Sequence, residues 1–504
     1  MRSLPSCREA FCALAQVKRC TELGILSRSG AAMHNPAPPV TADTAQERSA
    51  LLVCALTSFL GPFGVSAINV ALPAMQAELH LKTVTLTWVP TMYMLVMAIA
   101  LVPLGALADR LGRKKIFGMG LWLYTLASLL GAVAHHAAPL LICRGLQGVG
   151  AGMFISTGMA ILTSVFPPKR RGRVIGIYVA AVYIGLSAGP FVGGLLTGFW
   201  GWRCLFWLML PLGAFCLVLM RCYLKGEWQN PDSSPFDLAG CVLYALAIAA
   251  LVYGASISAT RAGQVLLAAG LLCGVAFVLH QYKSRHPVLD LRLFTANRSF
   301  AFSSFAALFN YSATYAVTFT MSLYLQYIQA MTPQAAGALL VAQPAVMALG
   351  SPLVGRLSER VPARLLSSAG MLLTTIGIAC YTQLGLHTPK SWIFCNLLLI
   401  GTGFALFSSP NISAIMGAVD RSQYGVASGV AAIMRLLGQM TSMAMATVVL
   451  SLLLGNVAIT PALYPRFLGA IHVVFCCSAV FCSLGLCCSL ARGGQGDHKK
   501  GPAI

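Results

Sequence analysis

The sequence predicts an all-α polytopic membrane protein, and three observations carry that expectation. Of 504 residues, 58% are hydrophobic and only 9% charged, whereas a soluble chain is about 25% charged. Predominantly apolar runs of about 20 residues, enough to cross a hydrocarbon core of about 30 Å as a helix, recur nearly end to end. The basic residues gather in alternate connections between those runs, as loops retained on one side of a membrane do. Helices also satisfy their own backbone hydrogen bonds, which lipid cannot do.

About fourteen such runs fall at 51–73, 85–107, 116–134, 139–162, 174–198, 201–220, 238–256, 264–280, 299–327, 336–356, 366–385, 391–410, 426–453 and 467–490. Ahead of them, residues 1–50 are polar and rich in small residues, with Pro36, Pro38 and Pro39, and read as a disordered cytoplasmic leader. Met33 opens a more conventional lead-in, so the start codon is open between Met1 and Met33. Residues 51–220 then form an N-terminal six-helix bundle. Residues 221–298 hold a two-helix insertion with its flanking loops, residues 299–490 a C-terminal six-helix bundle, and 491–504 a cytoplasmic tail. Six plus two plus six suggests two pseudo-symmetric halves rocking about a midplane site.

The formal charge is +21. With fourteen spans both termini share one side, and its loops carry Arg110, Arg113, Lys114, Lys115, Lys169, Arg170, Arg171, Arg173, Arg221, Lys225, Lys283, Arg285, Arg292, Arg298, Arg356, Arg360, Arg364 and Arg421, with Arg492, Lys499 and Lys500 in the tail. The opposite side holds only Lys82, Arg203, Arg261, Lys390 and Arg466. This asymmetry places both termini in the cytoplasm and assigns the positive charge to membrane orientation rather than to nucleic acid. The 17 cysteines lie mostly within apolar runs and form no C-x-x-C pair. There they act as small polarizable apolar residues, so neither a disulfide framework nor a metal site is expected. No G-x-x-x-x-G-K-S/T loop is present to bind ATP, and no Ser/His/Asp grouping stands out. The expectation is a non-enzyme without cofactors.

Several strings carry mechanism. Gly105-Ala-Leu-Ala-Asp109-Arg110-Leu-Gly112-Arg113-Lys114-Lys115 follows the second span, with a degenerate echo at Gly355-Arg356-Leu-Ser-Glu359-Arg360. Asp109 is placed to cap the third span while Arg110 and Arg113 form a charge network with it. The fourth span contains Arg144-Gly-Leu-Gln147-Gly148-Val-Gly150-Ala-Gly152, and burying Arg144 there is costly unless it is paired or hydrated. The fifth contains Gly185-x-x-x-Gly189-Pro190-x-x-Gly193-Gly194-x-x-x-Gly198, whose glycines at 185, 189 and 193 share a face and admit a neighbouring backbone. Gly201-Trp202-Arg203 opens the sixth.

These strings closely resemble the signature loop, fourth-span motif and antiporter motif of the major facilitator superfamily, and within it the fourteen-helix drug:proton antiporter (EmrB/QacA-like) family. The resemblance spans residues 51–490. It implies a major facilitator fold and a secondary active, proton-coupled exporter of small amphipathic molecules, working by alternating access. It also implies a monomer in a bacterial-type plasma membrane. The matching arginine, Arg144, is implicated in proton transfer in that family. One departure stands out: many relatives place an aspartate in the first span where this chain has Gly64.

All 13 carboxylates can be assigned to loops, termini or span edges, so the membrane interior lacks an acid. Interior candidates for a substrate cavity are Ser66, Asn69, Trp88, Tyr93, Gln147, Asn310, Tyr311, Tyr315, Gln343, Asn411, Arg435 and Gln439. With Arg144 and Arg435 inside and no carboxylate to offset them, neutral or anionic substrates are expected. Proton coupling would then fall to edge groups such as Glu78, Asp109 or His472. A membrane-embedded sensor or scaffold that kept the fold but lost transport is the alternative, favoured by the missing acid.

Overall fold

The computed structural model divides into two units, Met1–Thr41 and Ala42–Ile504. Residues 44–224, 226–228, 237–258, 260–284, 287, 291–358, 360–419, 424–455, 457 and 459–493 are described, all in the second unit. The expected leader therefore lies outside the described residues up to 43, and its last residues, 44–50, open the first helix instead. Of the expected tail only residues 491–493 are described.

The helices are α1 (Thr44–Leu79), α2 (Thr83–Leu111), α3 (Arg113–Ala132), α4 (Ala137–Val165), α5 (Pro168–Trp200), α6 (Arg203–Tyr223), α7 (Leu238–Ser256), α8 (Arg261–Lys283), α9 (Arg292–Ala296), α10 (Arg298–Leu323), α11 (Pro333–Leu340), α12 (Ala342–Leu357), α13 (Ala363–Tyr381), α14 (Lys390–Gly417), α15 (Tyr424–Leu453) and α16 (Tyr464–Ala491). Among the described residues, 13 helices are long and apolar enough to cross a membrane, α11 and α12 together counting as one. The expected run at 299–327 is the exception. It folds as α10 with a π-helical end at Tyr324–Ile328, but Ser303, Ser304, Asn310, Ser312, Thr314 and Thr320 dilute its apolarity, and all are buried. A helix enclosed by other helices need not be apolar toward lipid. Two of its hydroxyls bond backward to its own carbonyls, Ser312 to Leu308 and Thr314 to Asn310, each at 2.8 Å.

Packing repeats along the chain. In one set α1 lies along α5 and α6, α4 packs on both α2 and α3, and α3 meets α6. In a second set α10 lies along α15 and α16, α14 packs on both α12 and α13, and α13 meets α16. Glycine makes the equivalent crossings close in both: a Cβ on Gly150 would lie 2.5 Å from the Gly120 carbonyl oxygen, and one on Gly370 would lie 2.5 Å from that of Gly403. Between the sets, α2 meets α15 while α5 meets α11 and α12. The α7–α8 hairpin docks through α7 on α2 and α15, with Trp88 and Tyr253 rings 6.0 Å apart. Large apolar side chains such as Phe199, Leu272 and Leu349 point outward, the surface that lipid contact requires.

Candidate functional site

The loop after α2 is built differently from the expectation. Asp109 does not cap α3; its carboxylate accepts from Arg113 Nε at 2.7 Å. Arg113 also donates to the Ser164 hydroxyl at 2.7 Å and the Ala160 carbonyl at 3.2 Å on α4, so the charge network ties α2, α3 and α4 together. The cap comes from the connection after α6. Glu227 accepts the Lys114 backbone N–H at 2.8 Å, and the Trp228 carbonyl accepts that of Arg113 at 3.0 Å. Gly112 is required there: its φ is 111°, and a Cβ would lie 2.5 Å from the Glu227 carboxyl carbon. Arg110 is exposed.

The α5 string presents two faces. Cβ atoms on Gly185, Gly189 and Gly193 would lie 2.6 Å from the Phe59 carbonyl oxygen, 2.5 Å from Ser66 Cβ and 2.7 Å from Ala67 Cα, so this face is pressed onto α1. The α1–α5 contact is also hydrogen-bonded, Ser58 to the Tyr178 carbonyl and Ser66 to that of Leu186, each at 3.1 Å. Ser66, expected in a cavity, is thus a packing contact. Gly194 faces the opposite way, where a Cβ would lie 2.5 Å from the Pro333 carbonyl oxygen of α11. The Pro190 carbonyl oxygen sits against Gly337 and the Gln334 amide against Gly198.

Arg144 is 1% exposed. Its Nε donates to the Val89 carbonyl at 3.1 Å and one terminal nitrogen to Gln147 Oε1 at 2.7 Å. Gln147 in turn donates to the Ser128 hydroxyl at 2.8 Å. The guanidinium lies over the Tyr93 ring, 4.4 Å from its centroid. Its other terminal nitrogen and the Tyr93 hydroxyl are buried without a hydrogen-bond partner, and the Tyr315 hydroxyl faces the Asn69 side chain. Tyr93 and Tyr315 are within electrostatic reach of Arg144. Gly64 and Arg144 line one narrow gap with Ile68, Tyr124 and Gln147.

A second cluster joins the two helix sets at mid-depth. Tyr183 of α5 and Ser408 of α14 hydrogen-bond hydroxyl to hydroxyl, and the Tyr311 ring packs edge-on against Phe404, 5.5 Å away. Arg435 interacts electrostatically with Tyr178, Tyr183 and Tyr311, and no described carboxylate pairs with it. Tyr183 was not foreseen, because nothing in its local pattern marks a tyrosine two residues before Gly185. The other cavity candidates scatter. Asn411 donates to the Ser303 carbonyl at 3.0 Å and accepts from Arg492 at 3.2 Å, inside the second set. Asn310 is fully buried with both amide atoms unbonded, and Gln343 is buried beside Gly401.

The described carboxylates sit at helix ends and each is engaged. Glu47 pairs with Arg170 at 2.8 Å. Glu78 pairs with Arg203 and accepts the Trp202 indole N–H at 2.7 Å, which is what the Gly201-Trp202-Arg203 string does. Asp237 caps α7 through Gly240 N–H at 2.8 Å and meets His280 at 2.8 Å and Gln281 at 2.9 Å. Burial pushes the Asp237 carboxyl up, but these bonds and the His280 charge outweigh it and hold it below the usual range. His472, an expected edge group, bonds the Leu384 carbonyl at 2.6 Å.

Repeated helix sets, outward apolar surfaces and a buried arginine inside the bundle describe a multi-pass membrane transporter. Residues 54–443, and again 303–495, match the Major Facilitator Superfamily, and the chain belongs to it. It is 34% identical over 377 residues to "Multidrug resistance protein Stp" of Mycobacterium tuberculosis (strain CDC 1551 / Oshkosh), covering 74% of this chain and 70% of that one. It is 29% identical to "Drug efflux pump JefA" of the same strain over 78% of each chain. It is also 28% identical to "Riboflavin transporter RibZ" of Clostridioides difficile (strain 630), over 74% of this chain and 82% of that one. Among solved structures, a peptide transporter POT matches with a TM-score of 0.66 at 15% identity, over 88% of this chain and 96% of that one. A bacterial Spinster homologue in an inward-facing state matches with 0.63 at 17%, over 89% and 97%. These two similarities concern the fold.

Proposed function

We propose that the chain is a secondary active exporter of small amphipathic molecules, the multidrug efflux activity named for its Mycobacterium tuberculosis relatives. Its two helix sets, 51–220 and 299–490, are the halves of a fourteen-helix, six-plus-two-plus-six transporter, and α10 completes the count. The face bearing the Asp109–Arg113 loop is cytoplasmic, as are both termini, because the basic loops cluster there. Transport proceeds by alternating access, driven by protons.

The observation that carries this reading is where the halves touch. Ser322 donates to the Asn69 carbonyl at 2.8 Å and Gln326 to that of Val70 at 2.9 Å. Thr83 N–H donates to the Val457 carbonyl at 2.9 Å, and Tyr327 bonds Gln76. All these bonds lie toward the face away from the signature loop, with Ser187 to the Pro344 carbonyl at 2.8 Å and the Tyr183–Ser408 pair nearer mid-depth. Bonds of this kind on the side away from the loop fit a closed outer gate.

Inverted vesicles with and without an imposed proton gradient test the assignment. Gradient-dependent accumulation of a lipophilic substrate is expected; absence of flux from correctly inserted protein would refute it and favour the sensor alternative. Reporter fusions after Arg364 and Lys390 should read cytoplasmic and external, respectively.

A further inference from the structure

We infer that Ser442 of α15 is a positioning residue: it fixes the height of α10, so that Tyr315, Ser322 and Gln326 meet the outer part of α1. Gly438, Ser442 and Ala446 share a face of α15, spaced as Gly185, Gly189 and Gly193 are on α5, and they address α10 in the same way. A Cβ on Gly438 would lie 2.5 Å from the Leu308 carbonyl oxygen and 3.1 Å from the Ser312 nitrogen. One on Gly185 would lie 2.6 Å from the Phe59 carbonyl oxygen and 3.2 Å from the Phe63 nitrogen of α1. At the next position the two rows differ. A Cβ at Gly189 would stand 2.9 Å from the Ala67 nitrogen, whereas the Ser442 hydroxyl oxygen accepts the Ala316 N–H at 2.9 Å. Ser442 and Ala446 are fully buried.

A hydrogen bond constrains this contact in a way that glycine packing does not. Dispersion between close backbones is non-directional and shallow, so such helices can slide, but an N–H···O bond weakens once its distance or angle leaves a narrow range. Hydroxyls in a helix commonly turn back on their own carbonyls. The neighbours do so, Thr441 to Leu437 and Thr447 to Met443, each at 2.8 Å, while Ser442 directs its oxygen at α10. Tyr315 immediately precedes the bonded amide, and its hydroxyl faces the Asn69 side chain of α1. On the same side of α10, Ser322 and Gln326 donate to the Asn69 and Val70 carbonyls at 2.8 and 2.9 Å. All three reach one short stretch of α1, so a slip of α10 by one residue's rise, about 1.5 Å, misaligns them together.

That these α10 contacts belong to an outer gate rests on the exporter reading; the positioning itself does not. The test compares the full chain in nanodiscs with Ser442→Ala by amide exchange resolved to short peptides. Exchange over 312–318 of α10 and over 66–72 of α1 should each rise about three- to tenfold. Thr441→Ala, which removes the hydroxyl bonded to Leu437, should leave both at wild-type values. Ser442→Ala is then repeated in a Tyr315→Phe/Ser322→Ala background, which already lacks two of the three contacts with α1. Acting through those contacts, it should raise α1 exchange by a smaller factor than alone, while the factor in α10 stays whole. Should Ser442→Ala fail to fold, Ser442→Cys keeps the side chain but accepts weakly, and the same pattern is expected of it. Unchanged α10 exchange in either folded variant, or an equal rise in α1 in both backgrounds, would overturn the proposal. Proteoliposome flux is measured in parallel: a lowered maximal rate in Ser442→Ala supports the gate role and an unaltered one removes it. Absence of flux in the wild type counts against the exporter reading alone, because exchange reports the positioning without transport.

Discussion

Gly189→Leu tests the α1–α5 contact most sharply. A Cβ at residue 189 would stand 2.5 Å from Ser66 Cβ and 2.9 Å from the Ala67 nitrogen, whereas carbon atoms in contact settle at about 3.5–4.0 Å. Even alanine would force the helices about 1 Å apart, and leucine adds a branched end with nowhere to go. Overpacking of this kind costs about 1–3 kcal/mol. Separation also stretches the Ser66 bond to Leu186, now 3.1 Å, worth about 1 kcal/mol net. The expected loss is thus about 2–4 kcal/mol, with membrane insertion intact because leucine favours insertion. Vesicle flux at matched membrane levels and melting in detergent should both fall. Gly274→Leu is the control, since nothing lies within 4 Å of a Cβ there. Wild-type flux and melting in Gly189→Leu would refute the tight interface.

Glu227→Ala removes the α3 cap supplied from the far side of α6 and should cost about 1 kcal/mol, seen as a lowered melting temperature that Glu227→Gln partly restores. The depressed Asp237 carboxyl stabilises the fold fully above its unfolded value of about 3.9, and that contribution is lost as pH falls through the lower folded value. Amide exchange at the start of α7 should therefore accelerate in acid, and Asp237→Asn should flatten the dependence. Arg492→Met leaves Ser303, Asn411, Ser489 and the Ala363 carbonyl without the guanidinium they share and should lower melting, whereas removing residues 494–504 should not.

Spans, their order and the glycine faces were legible because each is a local property of the chain. Apolar length marks a helix, and three glycines four residues apart mark a face. Interior status was less legible. α10 is a helix like the others, but what permits its polar content is enclosure by α14, α15 and α16, which no window of sequence reports. The cap on α3 was misread for the same reason: Asp109 is near in sequence, while Glu227 arrives from more than a hundred residues away. Arg492 looked like a charged tail residue and is instead buried at the end of α16, where burial and then Arg364 draw it down to about 10, leaving it charged at neutral pH. Arg144 was foreseen as buried, but the absence of any acceptor for its last nitrogen emerges only when four helices are assembled around it.

On the alternating-access reading, the two faces of α5 have opposite duties. The face of Gly185, Gly189 and Gly193 must keep its grip on α1, since Ser58 and Ser66 add hydrogen bonds across that contact and the two helices would move as one piece. The face of Gly194 and Gly198 meets α11 of the other half, where Gly337 returns the close approach to the Pro190 carbonyl. Opening the outer side has to part this second contact. Backbone against glycine parts with less resistance than interlocked side chains, because no rotamer must be unhooked and dispersion between small groups falls off within about 1 Å. Proline at residue 190 contributes in the same direction: it has no N–H to donate and loosens the helix between the two faces. A string with glycine on both faces and proline between them therefore supplies one fixed and one separable interface on a single helix. A substitution at Gly194 should then alter the balance between inward and outward states at constant stability of the half, whereas one at Gly189 should damage the half itself.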